Sequence, residues 1–403
     1  PVHLVRGAGV WLHDADGRRF LDCYNNVASV GHCHPRVVAA LGEQAALLNT
    51  HTRYLNERIV EYAERLSRTL PPGLEVCMFA CSGTEANDLA FRIARAVSGN
   101  EGAIVMDNAY HGTSSTVFQL SPEDCPAGER PPFVETVAAP DGYRGEYRYG
   151  DQGRAMAYAS LADGAIDRLR ARGCRPAMFI SDNIFSSSGI LTPPPEYLQE
   201  IYRRVRAAGG LVVADEVQSG LCRLGDHFWA FEDSAVVPDI VTAGKPLGDG
   251  HPLSAVVTTP DIASAFAKRY HYFNTYGGNP VSAAVGLAVL DVIEEEQILH
   301  NVHDTGNYLR QGLLELSNRF ECIGDVRGKG LFYGVELVAD RASQTPAKEA
   351  AARVREYLRQ NGVLLSVTGP HNNVIKIRPP MVFSRSHADL LLETLEKALT
   401  CLN

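Results

Sequence analysis

LVVADEVQSG at residues 211–220 and IVTAGKP at residues 240–246 decide how the rest of the chain reads. Residues 211 to 214 are all apolar, a leucine followed by β-branched or small residues, as in a strand buried on both faces of a sheet, and they deliver Asp215 and Glu216 at the strand's carboxyl end. A second apolar run, Ile240 to Ala243, ends in Gly244-Lys245-Pro246, which puts a lysine on a rigid turn at the mouth of the sheet. Open α/β sheets bind their ligands at that edge.

A buried carboxylate is costly without a cation to meet it, and a lysine amine reacts only while neutral. Taken alone, Asp215 and Lys245 equally describe a turn-capping aspartate and a surface lysine. Pyridoxal phosphate (PLP) answers both needs: its protonated ring nitrogen is the cation for the aspartate, and its aldehyde condenses with the lysine. Such an ion pair, at ~4 Å in an effective dielectric of ~20, is worth about 4 kcal/mol, enough to keep the ring cationic.

With 403 residues, 45% of them hydrophobic, the chain has ample material for a core and for one large domain with an appended lobe. A net charge of −9 argues against a nucleic-acid partner, which would want a basic excess. No apolar run reaches the ~18 residues of a membrane span, so no membrane partner is expected. The chain starts at Pro1 rather than methionine, so a few further leading residues, with room for a signal, are expected. Nine scattered cysteines suit a reducing cytoplasm better than a disulfide scaffold. His32-Cys33-His34 invites a metal reading, but no second cluster at ligand spacing supports it.

Along the chain, Gly7 to Val27 reads as short strands and a tight turn at Asp14 to Gly17, with Tyr24, Asn25 and Asn26 closing the segment. Helical spacing follows at Val37–Leu48 and Glu57–Leu70, separated by a polar loop that carries Arg53. A buried strand at Val76–Ala80 runs into Cys81-Ser82-Gly83-Thr84-Glu85-Ala86-Asn87, a strand-to-helix turn. The glycine and hydroxyls there suit either ordinary capping or an anion at the positive end of the helix. Another strand, Ala103–Met106, precedes Asn108-Ala109-Tyr110-His111-Gly112. Residues 120 to 153 read as one long surface excursion rich in Pro, Gly and charge. Strands at Ala177–Ser181 and Leu253–Thr258 and helices at Tyr197–Ala208 and Ser282–Glu295 complete the larger part. From about residue 296 a smaller lobe begins.

Asp215-Glu216-Val217-Gln218, followed by Thr242-Ala243-Gly244-Lys245, resembles the class III aminotransferase branch of the fold type I PLP enzymes, and the likeness runs over nearly the whole chain. It implies an α/β fold: a large domain with a mostly parallel seven-stranded sheet flanked by helices, plus a smaller α+β domain from both termini. The corresponding expected boundaries are residues 1–45, 46–295 and 296–403. The resemblance implies that Asp215 pairs with the pyridine nitrogen, Gln218 bonds the ring hydroxyl and Lys245 carries the aldehyde. Gly83 and Thr84 would cradle the cofactor phosphate, Tyr110 would stack on the ring with His111 as its polar neighbour, and Val217 would close the other face. Thr275, in Tyr272 to Pro280, would reach across a homodimer interface to the partner's cofactor phosphate. Gly31, His32 and Pro35 match a turn of the family, and the segment with Tyr24 and Asn26 faces substrate.

Members that use glutamate hold its carboxylate with an arginine three residues before a Pro-Pro pair. Here that position is Lys376, in Ile375-Lys376-Ile377-Arg378-Pro379-Pro380, and a lysine is a point charge rather than a fork. The glutamate that covers that arginine in such enzymes aligns with Ser187. The phospho-lyase subgroup departs similarly, above all the ethanolamine-phosphate phospho-lyases. The chain resembles them at Asn25-Asn26-Val27-Ala28, Gly31 to Pro35, Tyr143-Arg144-Gly145, Gly250-His251-Pro252 and Gly369-Pro370-His371. It differs from them at Tyr24, Asp182 and Ser187. The resemblance thus implies elimination of phosphate from a small phosphorylated amine, with Lys376, Arg378 and Arg53 as candidate phosphate partners. The alternatives are an ω-amine transaminase and a PLP-carrying protein without turnover; intact Asp215, Gln218 and Lys245 argue against the latter.

Overall fold

The computed structural model describes residues 2–402. Its centre is a seven-stranded sheet in the order Val76–Ala80, Ser254–Thr258, Ile240–Ala243, Leu211–Asp215, Pro176–Asp182, Gly102–Met106 and Val134–Val137. Only Ser254–Thr258 runs against the others; it pairs antiparallel with both neighbours, and the remaining pairs are parallel. Val212 to Ala214, Val241 and Ile180 have no exposure, as a sheet covered on both faces requires. Helices Gly83–Ser98, Arg154–Ala171 and Glu196–Ala207 cover it. The parallel strands all end on one side, so Ser82, Tyr110, Asp182, Asp215 and Lys245 follow or close five different strands on a single rim.

The two ends of the chain meet in a second sheet, where Leu4–Ala8, Trp11–Asp14 and Arg19–Asp22 form a meander and Val363–Leu364 joins Arg19–Asp22 in parallel. Cys23 N donates to Leu364 O (2.8 Å) and Arg378 N to Cys23 O (2.8 Å), which binds the Tyr24 segment to the Lys376 strand. That strand, Val374–Ile377, belongs to an antiparallel sheet with Ser366–Thr368, Phe332–Asp340 and Ile323–Lys329. Helices Ile298–Arg319, Lys348–Gln360 and Arg385–Thr400 complete the lobe. The helix Pro280–Glu295 is buried over most of its surface, and an apolar helix of this kind is stable only between layers. The Asn279 side chain starts it by accepting from Ser282 N (2.9 Å).

The structure corrects the reading of residues 120–153 as one surface excursion. Val134–Val137 is the edge strand of the large sheet, with Val134, Glu135 and Val137 buried. The helix Arg154–Ala171, the next element in the chain, went unread because Gly153 precedes it without a capping side chain. Nor do His32 and His34 converge. The first bonds Asp22 Oδ2 (2.7 Å) and the second Glu296 Oε1 (3.0 Å). No helix is long and apolar enough to cross a membrane among the described residues.

Candidate active site

A cavity of about 330 Å³ opens where the five strands end, and its walls include Gly83, Thr84, Tyr110, His111, Asp215, Val217, Gln218 and Lys245. Asp215 is 3% exposed, so its carboxylate must be satisfied by the protein or by a ligand. Asn87 Nδ2 (2.9 Å) and His111 Nδ1 (2.7 Å) contact Oδ2, and Val217 N donates to Oδ1 (3.1 Å). Asn87 is itself fixed: Thr242 Oγ1 donates to its Oδ1 (2.6 Å), and its Nδ2 also donates to His111 O (2.8 Å). Strand, helix and loop are thus tied to one carboxylate, whose bonds to N–H donors are of the strong, charge-assisted kind.

The helix Gly83–Ser98 begins at the cavity wall, and Ser82 Oγ caps it by accepting from Glu85 N (3.2 Å). Its first-turn N–H groups and dipole make that wall suited to an anion. Side chains larger than hydrogen are excluded here. A Cβ on Gly83 would lie 2.8 Å from Val217 Cγ1, and one on Gly112, whose φ is +144°, would lie 2.5 Å from Thr84 Oγ1.

Lys245 follows Gly244 directly after the strand Ile240–Ala243. Burial, seconded by the Arg378 charge, pulls its amine down to about 8 against the opposing pull of Asp215 and Asp182. A neutral fraction is therefore present near physiological pH. Burial raises the Asp182 carboxyl, which stands beside Asp215 in the parallel register. Ser186 Oγ donates to Asp182 Oδ2 (2.5 Å) and accepts from Gln218 Nε2 (3.0 Å).

These residues fit PLP by the chemistry of their donors. An oriented carboxylate, a helix N-terminus and a lysine of lowered pKa line one cavity together with an aromatic ring, Tyr110, and an amide, Gln218. His111 Nε2 is buried with no partner among the described residues.

The expected substrate residues divide. Arg378 is 5% exposed, and its guanidinium is engaged: Nη1 donates to Gln218 Oε1, while Nε (3.3 Å) and Nη2 (3.2 Å) donate to Tyr24 O. Lys376 has no hydrogen bond or ion pair among the described residues, and its Nζ lies 5.8 Å over the Phe332 ring. Burial, then the charge of Arg378, pulls Lys376 down to about 7. Asn26 is buried with Nδ2 unpaired among the described residues, and Tyr24 is 48% exposed. Asp22 shapes this segment by accepting from Tyr24 N (3.0 Å) and Asn25 N (2.9 Å). Arg53 is exposed and stacks 4.2 Å over Phe273, and Thr275 is exposed too. None of Arg53, Thr275, Lys376, Arg378, Tyr24 and Asn26 lines the cavity itself; Arg378 reaches it through Gln218, and Val27, next to Asn26, lines it.

Reading the sequence missed Asn87, Thr242 and Asp22. The first two lay inside quoted motifs, but nothing local marks an asparagine within a helix or a threonine within a strand as holding a carboxylate.

A buried aspartate at a strand end, a lysine after the next strand and a helix N-terminus on one rim define a fold type I PLP enzyme. The sequence profile described as aminotransferase class-III matches residues 1–399, and the chain belongs to that PLP-dependent family. Over 408 residues it is 46% identical to a Drosophila melanogaster protein named alanine–glyoxylate aminotransferase 2-like, covering 99% of this chain and 83% of the relative. It is 38% identical to ethanolamine-phosphate phospho-lyase homolog 1 of Caenorhabditis elegans, covering 100% of this chain and 89% of the relative. A solved phospholyase from Arthrobacter in complex with phosphoethanolamine superposes with a TM-score of 0.96 at 42% identity, covering 100% of this chain and 95% of that one.

Proposed function

We propose that this enzyme is a phospho-lyase that converts ethanolamine phosphate and water to acetaldehyde, ammonia and inorganic phosphate. The observation that carries the reading is the state of the two cations before the Pro-Pro pair. The guanidinium is already bonded to Tyr24 O and Gln218, whereas the Lys376 ammonium is free among the described residues. No arginine fork therefore waits for a substrate carboxylate, and a point charge suits a phosphate. Two relatives named for phospho-lyase activity, one of them bound to phosphoethanolamine, support the same substrate class.

When bound, PLP supplies an electron sink that acidifies the carbon bearing the substrate nitrogen. The chain's own groups do the rest. Asp215, oriented by Asn87 and His111, would hold a proton at the ring nitrogen. Gly83 and Thr84 would hold the cofactor phosphate, Tyr110 and Val217 would lie against the ring, and Gln218 would serve its hydroxyl. Lys245 Nζ, with its amine near 8, takes the proton from the nitrogen-bearing carbon. The C–O bond to phosphate then breaks, and its electron pair leaves with the phosphate toward Lys376. Arg378 positions Tyr24 and Gln218, and Asn26 offers its free Nδ2 to the substrate. Water hydrolyses the remaining two-carbon fragment to acetaldehyde and ammonia.

In this reading the enzyme works as a homodimer in the cytoplasm, with Thr275 reaching the partner's cofactor phosphate and Arg53 lying near the same interface. The exposure of Tyr54, Leu55 and Tyr276, at 66%, 93% and 73%, supports a second copy covering that face. An ω-amine transaminase is the alternative, supported by the aminotransferase name of the Drosophila relative. The holoenzyme incubated with ethanolamine phosphate alone separates the two. Phosphate release supports the lyase, and turnover only with added pyruvate or 2-oxoglutarate supports the transaminase.

A further inference from the structure

Ser186 has every one of its polar atoms engaged. It is 1% exposed and sits on the loop that follows the strand Pro176–Asp182. Its N donates to both carboxylate oxygens of Asp182 (3.1 and 3.0 Å), and its Oγ donates to Asp182 Oδ2 while accepting from Gln218 Nε2. Its O accepts from Thr368 Oγ1 (3.0 Å). Thr368 lies on the strand Ser366–Thr368, which pairs with the Lys376 strand, so one serine ties together the large sheet, Gln218 and the small lobe. Phe185, just before it, is buried with φ at +48°, a left-handed conformation that is strained in a residue with a Cβ. Strain of this kind persists only where the surrounding contacts over-determine it.

These bonds decide how the Gln218 amide stands. A guanidinium only donates, so the amide oxygen must be the end that meets Arg378 Nη1. At the other end the Ser186 hydroxyl has one proton and gives it to Asp182, which leaves Oγ as an acceptor for the amide nitrogen. Both constraints select the same orientation. An amide nitrogen carries two hydrogens, and Ser186 takes one of them. The other is the side-chain donor that Gln218 has left among the described residues, and Gln218 and Asp182 both line the cavity.

We propose that Ser186 is a positioning residue for the cofactor: braced on Asp182, it holds the Gln218 amide so that the remaining N–H is offered to the ring hydroxyl oxygen. The inference rests on the place given to Gln218 beside that oxygen and not on the identity of the substrate. An N–H donated there draws negative charge from the oxygen, which weakens its hold on the proton it shares with the lysine nitrogen. Ser186 thereby sets, through Gln218, how readily that proton is lost.

The visible absorbance of the holoenzyme reports that proton, and its midpoint in a pH titration is the readout. Gln218→Leu removes the donor and should raise the midpoint by about one pH unit, the order of one hydrogen bond to a charged group. Ser186→Ala leaves the amide held only at Arg378 and should raise it by about half a unit. The double variant should match Gln218→Leu alone, because a residue that acts through another has nothing to act on once that one is gone. Asp215, Asp182 and Arg378, the charged groups around Lys245, are unchanged in all of these proteins. Thr368→Val removes a different contact of the same serine: it should lower Tm and leave the midpoint at its wild-type value. A Ser186→Ala midpoint equal to wild type, an equal further shift in the Gln218→Leu background, or an equal shift in Thr368→Val overturns the inference. An unmoved Gln218→Leu midpoint overturns it as well. Failure to release phosphate from ethanolamine phosphate would remove the lyase reading and leave these midpoints as expected, so the two failures are told apart.

Discussion

The two sides of the site, the cofactor side around Asp215 and the side of Lys376, are built on opposite principles. Around Asp215 the polar groups are linked in a chain, Thr242 to Asn87 to Asp215, with His111 and Val217 N completing the carboxylate. On the side of Lys376 the protein leaves polar groups open: neither the lysine nor Asn26 Nδ2 has a partner among the described residues. The first side is preorganised for one permanent occupant, where fixed dipoles cost no rearrangement at the moment of reaction. The second holds unsatisfied groups that, in the proposed function, a transient ligand completes. Substitutions should therefore affect activity through kcat and cofactor spectrum on one side, and through KM on the other.

Lys245→Ala should break the comparison most completely. With the proton-moving amine gone, turnover should fall by at least ~10³-fold, and the visible absorbance of the lysine-bound cofactor should vanish. Asp215→Asn keeps the shape but removes the charge that holds the ring proton. A loss of ~10²–10³-fold in kcat is expected, the order found when a single preorganised electrostatic contact is removed, with little change in KM. Lys376→Met tests the other side. It should raise KM for ethanolamine phosphate by roughly ten- to a hundredfold, as losing a charge-assisted contact of ~1.5–3 kcal/mol implies, and leave the cofactor spectrum unchanged. Asn87→Ala lies lower: it unties one donor from Asp215 and leaves Thr242 unmatched, so about 1–3 kcal/mol of stability should be lost in chemical unfolding.

The smallest effect is the pH profile, which sharpens the comparison because each side supplies one limb. Lys376, near 7, holds its charge below that value and loses it as pH rises, so anion binding weakens on the alkaline side. Its titration is set first by burial and then by the charges of Arg378, Asp182, Glu123 and Lys245. Lys245, pulled down to about 8 as a free amine, becomes a competent base as pH rises, which gives kcat its acid limb. On the alkaline side kcat/KM should thus fall, and on the acid side kcat should fall, because Lys245 acts as a base only once the substrate amine has freed it from the cofactor; Lys376→Met should abolish the alkaline fall in kcat/KM alone. Rate measurements on both proteins across pH 6 to 9 check this.

The same division explains what could be read before folding. The first side is written in short motifs, because a strand end, a tight turn and a helix start place Asp215, Lys245 and Gly83 by local geometry. Its supporting residues were silent, since Asn87 and Thr242 act through contacts 128 and 155 residues apart, counted to Asp215 and between the two. On the second side, spacing put Lys376 and Arg378 on one strand face but did not reveal that Tyr24 O and Gln218 already hold the guanidinium. Ser186 meets Gln218 across 32 residues, so that pairing exists only in three dimensions. The missed edge strand has a similar cause. Val134–Val137 is four residues long and carries Glu135, whose buried carboxylate is tolerated because Arg168 Nε, from the next helix, donates to it at 2.7 Å.

The most direct measurement is the stoichiometry of products formed from ethanolamine phosphate by the purified holoenzyme with no keto acid present. Phosphate, ammonia and acetaldehyde appearing in equal amounts over many turnovers is the predicted result. Turnover that stops without pyruvate or 2-oxoglutarate, and resumes with formation of the matching amino acid when one is added, would contradict it.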